Sequence, residues 1–90
     1  MHRLVAYDTE FVNQMPKELK NGILYVAPHY EVAAHLCMCG CGEKVVTPLN
    51  KYGWDWTFNN VDVSLSPSVG NFQYNCKSHY FLKNGKVQWC

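Results

Sequence analysis

The chain has 90 residues, of which 48% are hydrophobic, 14% aromatic and 17% charged, and eight Lys plus Arg against seven Asp plus Glu leave a formal charge of +1. That length admits one small domain over residues 1–90 and excludes most cofactor-sized enzyme architectures. The hydrophobic share excludes disorder, and the near-neutral charge without a basic stripe argues against a nucleic-acid partner.

Taken in chain order, the sequence predicts short strands separated by turns. Leu4 to Tyr7 alternates weakly, and Asp8 interrupts the N-terminus before a signal-peptide core can build, which predicts a cytoplasmic protein. No apolar run approaches the roughly 18 residues of a membrane-spanning helix, so no membrane is expected. Met15 to Gly22 reads as a polar connector ending in Asn-Gly, and Ile23 to Ala27 as a strand. No segment carries the helical repeat over 11 or more residues: Glu31 to Leu36 could form a turn or two at most, and His35 is expected on a strand entering the cysteine cluster. Trp54 to Phe58 places aromatics at period 2, and with Val61 to Leu65 across an Asn-Asn turn it predicts a hairpin of half-buried strands. His79 to Lys83, Asn84-Gly85 and Lys86 to Trp89 form the strongest hairpin signal, because Asn-Gly suits a type I′ turn. The expected fold class is all-β: a small zinc-stabilised sandwich or partly open barrel with a C-terminal β-hairpin.

The five cysteines carry the chemical signal. Cys37, Cys39 and Cys41 form a C-x-C-x-C cluster, and Cys76 and His79 a C-x-x-H cluster beside the last hairpin. In a reducing compartment such clusters are metal ligands more often than disulfides. Structural zinc takes four soft or borderline ligands in a tetrahedron, delivered by two short loops. On a straight strand neighbouring front thiolates would lie roughly 7 Å apart, so the chain must bend, and Gly40 and Gly42 permit that. The ligands are then two front cysteines with Cys76 and His79, or all three with Cys76 or His79. His35 and Ser78 are candidates to support these ligands from behind, and Cys90 stands apart. A Rieske-like iron–sulfur centre is a weaker reading, because the His35–Cys37 order is reversed relative to that arrangement.

Two blander readings compete. A free cysteine is often just a small buried hydrophobe, but four in this spacing exceed that explanation. Trp54, Trp56, Trp89, Phe72, Phe81, Tyr74 and Tyr80 are expected mainly in the core, since a small domain needs them there. Cys76 and His79 with the nearby Ser64, Ser66, Ser68 and Ser78 offer ingredients of a nucleophilic site, yet no nucleophile-elbow or cysteine-protease signature is present. Pro67 to Asn71 reads as a tight turn supporting the metal loop.

His35-Leu36-Cys37-Met38-Cys39-Gly40-Cys41-Gly42, Val63-Ser64-Leu65-Ser66-Pro67-Ser68-Val69-Gly70-Asn71 and Cys76-Lys77-Ser78-His79-Tyr80-Phe81 resemble the bacterial and phage domain-of-unknown-function family 6527 over about residues 22 to 89. The resemblance implies a small zinc-binding protein beside ubiquitin-like conjugation genes, some in phage-defence loci, with Cys37, Cys39, Cys41, Cys76 and His79 as its metal candidates. Cys90 departs from the small residue expected at the end. The sequence therefore predicts a non-catalytic zinc module that binds a protein partner, as an accessory factor of ubiquitin-like conjugation or defence. A thiol- or zinc-dependent hydrolase of protein conjugates is the alternative, and an iron–sulfur electron carrier the third.

Overall fold

The computed structural model describes residues 3–90; His2, to which the sequence assigns no role, lies outside them. Among the described residues there are nine strands: β1 Asp8–Phe11, β2 Ile23–Ala27, β3 Val32–Leu36, β4 Lys44–Pro48, β5 Asp55–Phe58, β6 Val63–Ser66, β7 Val69–Gly70, β8 His79–Lys83 and β9 Lys86–Trp89. They form a four-stranded sheet β1-β2-β3-β4, a two-stranded sheet β5-β6 and a three-stranded sheet β7-β8-β9. The result is sandwich-like, with no closed barrel. A short 3-10 turn, Pro28–Tyr30, is the one helical element among the described residues, and none of their helices is long and apolar enough to cross a membrane.

The first sheet is built on β2, whose Leu24, Tyr25, Val26 and Ala27 are all buried. It pairs in parallel with β1 and antiparallel with β3. Glu31 to Leu36 forms no helical turn; Val32–Leu36 is a strand paired on both sides. Ala33, Ala34 and His35 are buried in succession, so this strand lacks the polar–apolar alternation that marks a one-sided one. In β4 alternation returns: Val45 and Thr47 point inward, and Thr47 Oγ1 donates to the Ala33 carbonyl at 3.2 Å.

The C-terminal hairpin has the expected register, Tyr80 opposite Trp89 and Lys83 opposite Lys86. Asn84 and Gly85 both take positive φ, 51° and 80°, as a type I′ turn requires. The β5-β6 hairpin also forms, although every β5 residue is exposed where a half-buried strand was expected. Asn84 N donates to Ser64 Oγ at 2.8 Å and Tyr7 OH to the Val63 carbonyl at 2.7 Å, which seats β6 across the β8-β9 turn. Residues 4–7 run between the sheets: Leu4 N donates to the Met38 carbonyl, and Trp89 Nε1 to the Leu4 carbonyl, each at 2.8 Å.

The core gathers Leu24, Val26, Val45, Val63, Leu65, Val69, Tyr80 and Leu82 around Cys37 and Met38. Of the aromatics expected inside, Tyr80 is fully buried, whereas Phe72, Phe81 and Trp56 lie on the surface. Trp56 and Phe58 instead pack against Phe11, an edge-on contact of 5.0 Å in the case of Phe58.

Candidate metal centre and the Ser68–His79 pair

β3 delivers Cys37 as it leaves the sheet. Cys37 N donates to the Glu43 carbonyl at 2.8 Å and Gly40 N to the Cys37 carbonyl at 3.1 Å, folding the front cluster into a tight loop. Gly40 and Gly42 have φ of 88° and 86°, a region that a side chain would strain. Two successive turns, Tyr74 N to the Asn71 carbonyl and Lys77 N to the Tyr74 carbonyl, bring Cys76 back to the same point.

Four sulfur atoms converge there. Those of Cys37, Cys39, Cys41 and Cys76 all lie within 4.8 Å of one another. Cys37–Cys39 is 3.4 Å, and both Cys37–Cys76 and Cys41–Cys76 are 3.8 Å. A tetrahedral ion with metal–sulfur bonds of about 2.3 Å has sulfur–sulfur edges of about 3.8 Å, so the cluster fits one metal ion. Protonation is uneven before any ion binds. The Ser78 hydroxyl, hydrogen-bonded to Cys76, is the main influence holding that thiol down at about 6. Burial pushes Cys41 up to about 12 and Cys37 upward as well. Cys76 thus offers a thiolate before Cys37 and Cys41 do.

His79 is not brought into this group. In a strand, successive side chains point to opposite faces: Tyr80 turns inward toward the cysteines and His79 outward. Its Nε2 lies 2.7 Å from Ser68 Oγ in a part-buried hydrogen bond. β7 makes this meeting possible, since Val69 pairs with Tyr80 and Gly70 with His79. Trp54 Nε1 donates to the Ser68 carbonyl at 3.3 Å, and the Phe72 ring stands edge-on to His79 at 5.4 Å. That ring also lies against Gly70, where a Cβ would meet it at 2.7 Å.

Behind the sulfurs, His35 is fully buried, with Nε2 2.7 Å from Tyr80 OH and Nδ1 without a partner. Burial lowers its pKa to about 4, so the ring is neutral at pH 7. Asn71 Nδ2 donates to Cys37 Sγ and to Tyr80 OH, each at 3.3 Å. Cys90 is exposed, away from the cluster. A groove of about 280 Å³ is lined by Asp55, Thr57, Ser64, Leu65, Ser66, Phe81 and Lys83, with neither Ser68 nor His79 among its walls. Phe81 shares the outward face of β8 with His79, two residues on.

A profile of the bacterial ubiquitination-like system serine protease family, BubE, matches residues 11–90. The chain belongs to the BubE family. This supports the ubiquitin-like conjugation context implied by the motif resemblance, without linking the chain to the domain-of-unknown-function family named for it. No curated protein and no solved structure matches the chain. Ser68 is one of the four serines, with Ser64, Ser66 and Ser78, among which the sequence shows no nucleophile signature, and nothing in its spacing marks it. Its signal is its place in the Ser66-Pro67-Ser68-Val69-Gly70-Asn71 run, legible only as part of a motif.

Proposed function

We propose that this chain is a serine hydrolase acting on peptide or isopeptide bonds of a ubiquitin-like modifier, with Ser68 as nucleophile and His79 as general base. The observation that carries this reading is the 2.7 Å bond between Ser68 Oγ and His79 Nε2. It is the nucleophile–base contact that acyl transfer requires. The BubE family description supports the reaction class.

In this mechanism His79 Nε2 takes the Ser68 proton as Oγ attacks the substrate carbonyl. The tetrahedral adduct collapses to an acyl-serine, and His79 returns the proton to the departing amine. Water, deprotonated by the same imidazole, then releases the acyl group and restores Ser68. The Trp54 bond to the Ser68 carbonyl fixes the nucleophile's backbone, and the groove offers Phe81 and Leu65 as an apolar floor for an extended substrate segment.

The ion proposed for the cysteine centre is zinc, held by Cys37, Cys39, Cys41 and Cys76. With four thiolates the coordination is closed, and zinc supplies folding free energy and leaves the acyl transfer to the protein. Thiolate ligands require a reducing compartment, which supports a cytoplasmic location. The protein partner in this reading is the modifier or its conjugate.

A fluorophosphonate probe followed by peptide mapping tests the function. Labelling is expected at Ser68 and is lost in Ser68→Ala and His79→Ala, with turnover of a modifier conjugate falling about 10⁴-fold or more. Full turnover by Ser68→Ala would refute the assignment. Elemental analysis of the same sample is expected to give one zinc per chain, and a brown, iron-bearing sample would refute zinc.

A further inference from the structure

The cysteine centre and the Ser68–His79 pair are separate sites, and one buried side chain touches the framework of both. Asn71 is 1% exposed. Its Nδ2 donates to Cys37 Sγ and to Tyr80 OH, each at 3.3 Å. Its backbone N–H donates to the Ser78 carbonyl at 2.7 Å, and its carbonyl accepts the Tyr74 N–H at 3.1 Å in the turn that leads to Cys76. Asn71 therefore contacts a front ligand, the entry to the strand that carries His79, and the segment that carries the rear ligand. It lies three residues beyond Ser68.

β7, which sets Ser68 against His79, is only two residues long. Two ladder positions are a weak hold on a nucleophile, so the end of β7 needs an anchor. The Asn71 side chain supplies one, and the anchor depends on what Cys37 is bonded to. A metal-bound thiolate is a good acceptor for an N–H donor, whereas a neutral thiol is a weak one.

We infer that Asn71 is a positioning residue that couples the cysteine centre to the Ser68–His79 pair: with an ion in the centre, the Asn71–Cys37 hydrogen bond holds β7 in register and Ser68 Oγ within reach of His79. The inference rests on the serine hydrolase reading for what is positioned, but its link to the sulfur centre can be measured without catalysis. Partners of metal ligands typically change metal affinity or activity by about 10- to 100-fold when removed, and a small misplacement of reacting groups costs about 100-fold in rate.

The test compares the wild-type chain with Asn71→Leu, similar in size and without the donor. Cobalt(II) is loaded in place of zinc, and the sulfur-to-cobalt charge-transfer band reports the hydrogen bond at Cys37. Loss of that bond is expected to shift the band and to weaken cobalt binding about 10- to 100-fold in competition with a chelator. Fluorophosphonate inactivation is followed on fully loaded protein. The saturating rate is expected to fall about 100-fold while the probe concentration for half-saturation stays within about twofold. Circular dichroism checks that the strands persist; should Asn71→Leu not fold, Asn71→Asp repeats the measurement with the packing volume kept and the amide donor gone. A folded variant that labels at the wild-type rate overturns the coupling, whatever its cobalt band does, and so does a slowed variant whose cobalt band and affinity are unchanged. If the wild-type probe maps away from Ser68, the hydrolase reading fails first, and the cobalt measurement still decides whether Asn71 bonds a ligand sulfur.

Discussion

Cys76 and His79 are three residues apart, yet their side chains go to different places. Cys76 turns into a group of four sulfurs, while His79 faces outward to Ser68. The sulfur centre is made from loops, with glycines at positive φ bending the front cysteines together. The Ser68–His79 pair is made from strand register, since Gly70 opposite His79 places Ser68 beside the ring. Loops can converge on a point from many sequence spacings, whereas a strand fixes direction by the parity of the position. The C-x-x-H spacing that reads as one knuckle is thus divided between two sites at the entry to β8.

This contrast can be broken at either half. The largest effect is expected from Cys76→Ser against His79→Ala. Loss of a sulfur ligand should abolish metal binding and lower the melting temperature steeply, since a structural zinc supplies folding free energy directly. His79→Ala should keep one metal per chain and melt within a few degrees of wild type. Elemental analysis and thermal melts check both, and equal metal loss in the two variants would erase the distinction.

A smaller effect is expected at the group between them. Tyr80→Phe removes the hydroxyl that meets His35 Nε2, Asn71 Nδ2 and the Met38 N–H. Leaving buried polar groups without that partner should cost about 1–3 kcal/mol, seen as a lower denaturation midpoint with metal content unchanged. The smallest effect concerns Ser78 and sharpens the centre itself. In metal-free protein, Cys76, held down at about 6, should alkylate faster at pH 7 than Cys37 or Cys41, with its rate rising as pH climbs through 6. Cys41, pushed up to about 12, should stay unreactive there. Ser78→Ala should move the Cys76 profile upward in pH, as followed by mass spectrometry.

Much of the fold is legible from local signals. Asn84-Gly85 between two β-rich runs specifies its own turn, and the apolar run Ile23–Ala27 is a buried strand. β3 was legible only in part: His35 was expected on a strand entering the cysteine cluster, but a strand buried on both faces carries no alternation, so a turn or two over Glu31 to Leu36 stayed open. β1 and β7 were not legible. A parallel partner lies more than ten residues away in sequence, and two-residue β7 has too few positions to show a period. At the site, cysteine spacing pointed to the residues that converge, since soft ligands in two clusters have few other uses. The Ser68–His79 contact was hidden because strand register, which no local spacing shows, brings the two side chains together.

The distance along the chain between the two halves of the sulfur centre has a consequence in polymer terms. Cys41 and Cys76 lie on either side of β4, β5, β6 and β7, so an ion bound between them closes a long loop around those four strands. By the chain-entropy reckoning used for covalent cross-links, a closure of this length restrains the unfolded chain by about 4 kcal/mol. The enclosed loop is the one that carries Ser68. With an ion bound, the centre would act as a clasp on the excursion that holds Ser68, the proposed nucleophile, removing conformations in which Ser68 wanders from β8 before any strand has paired.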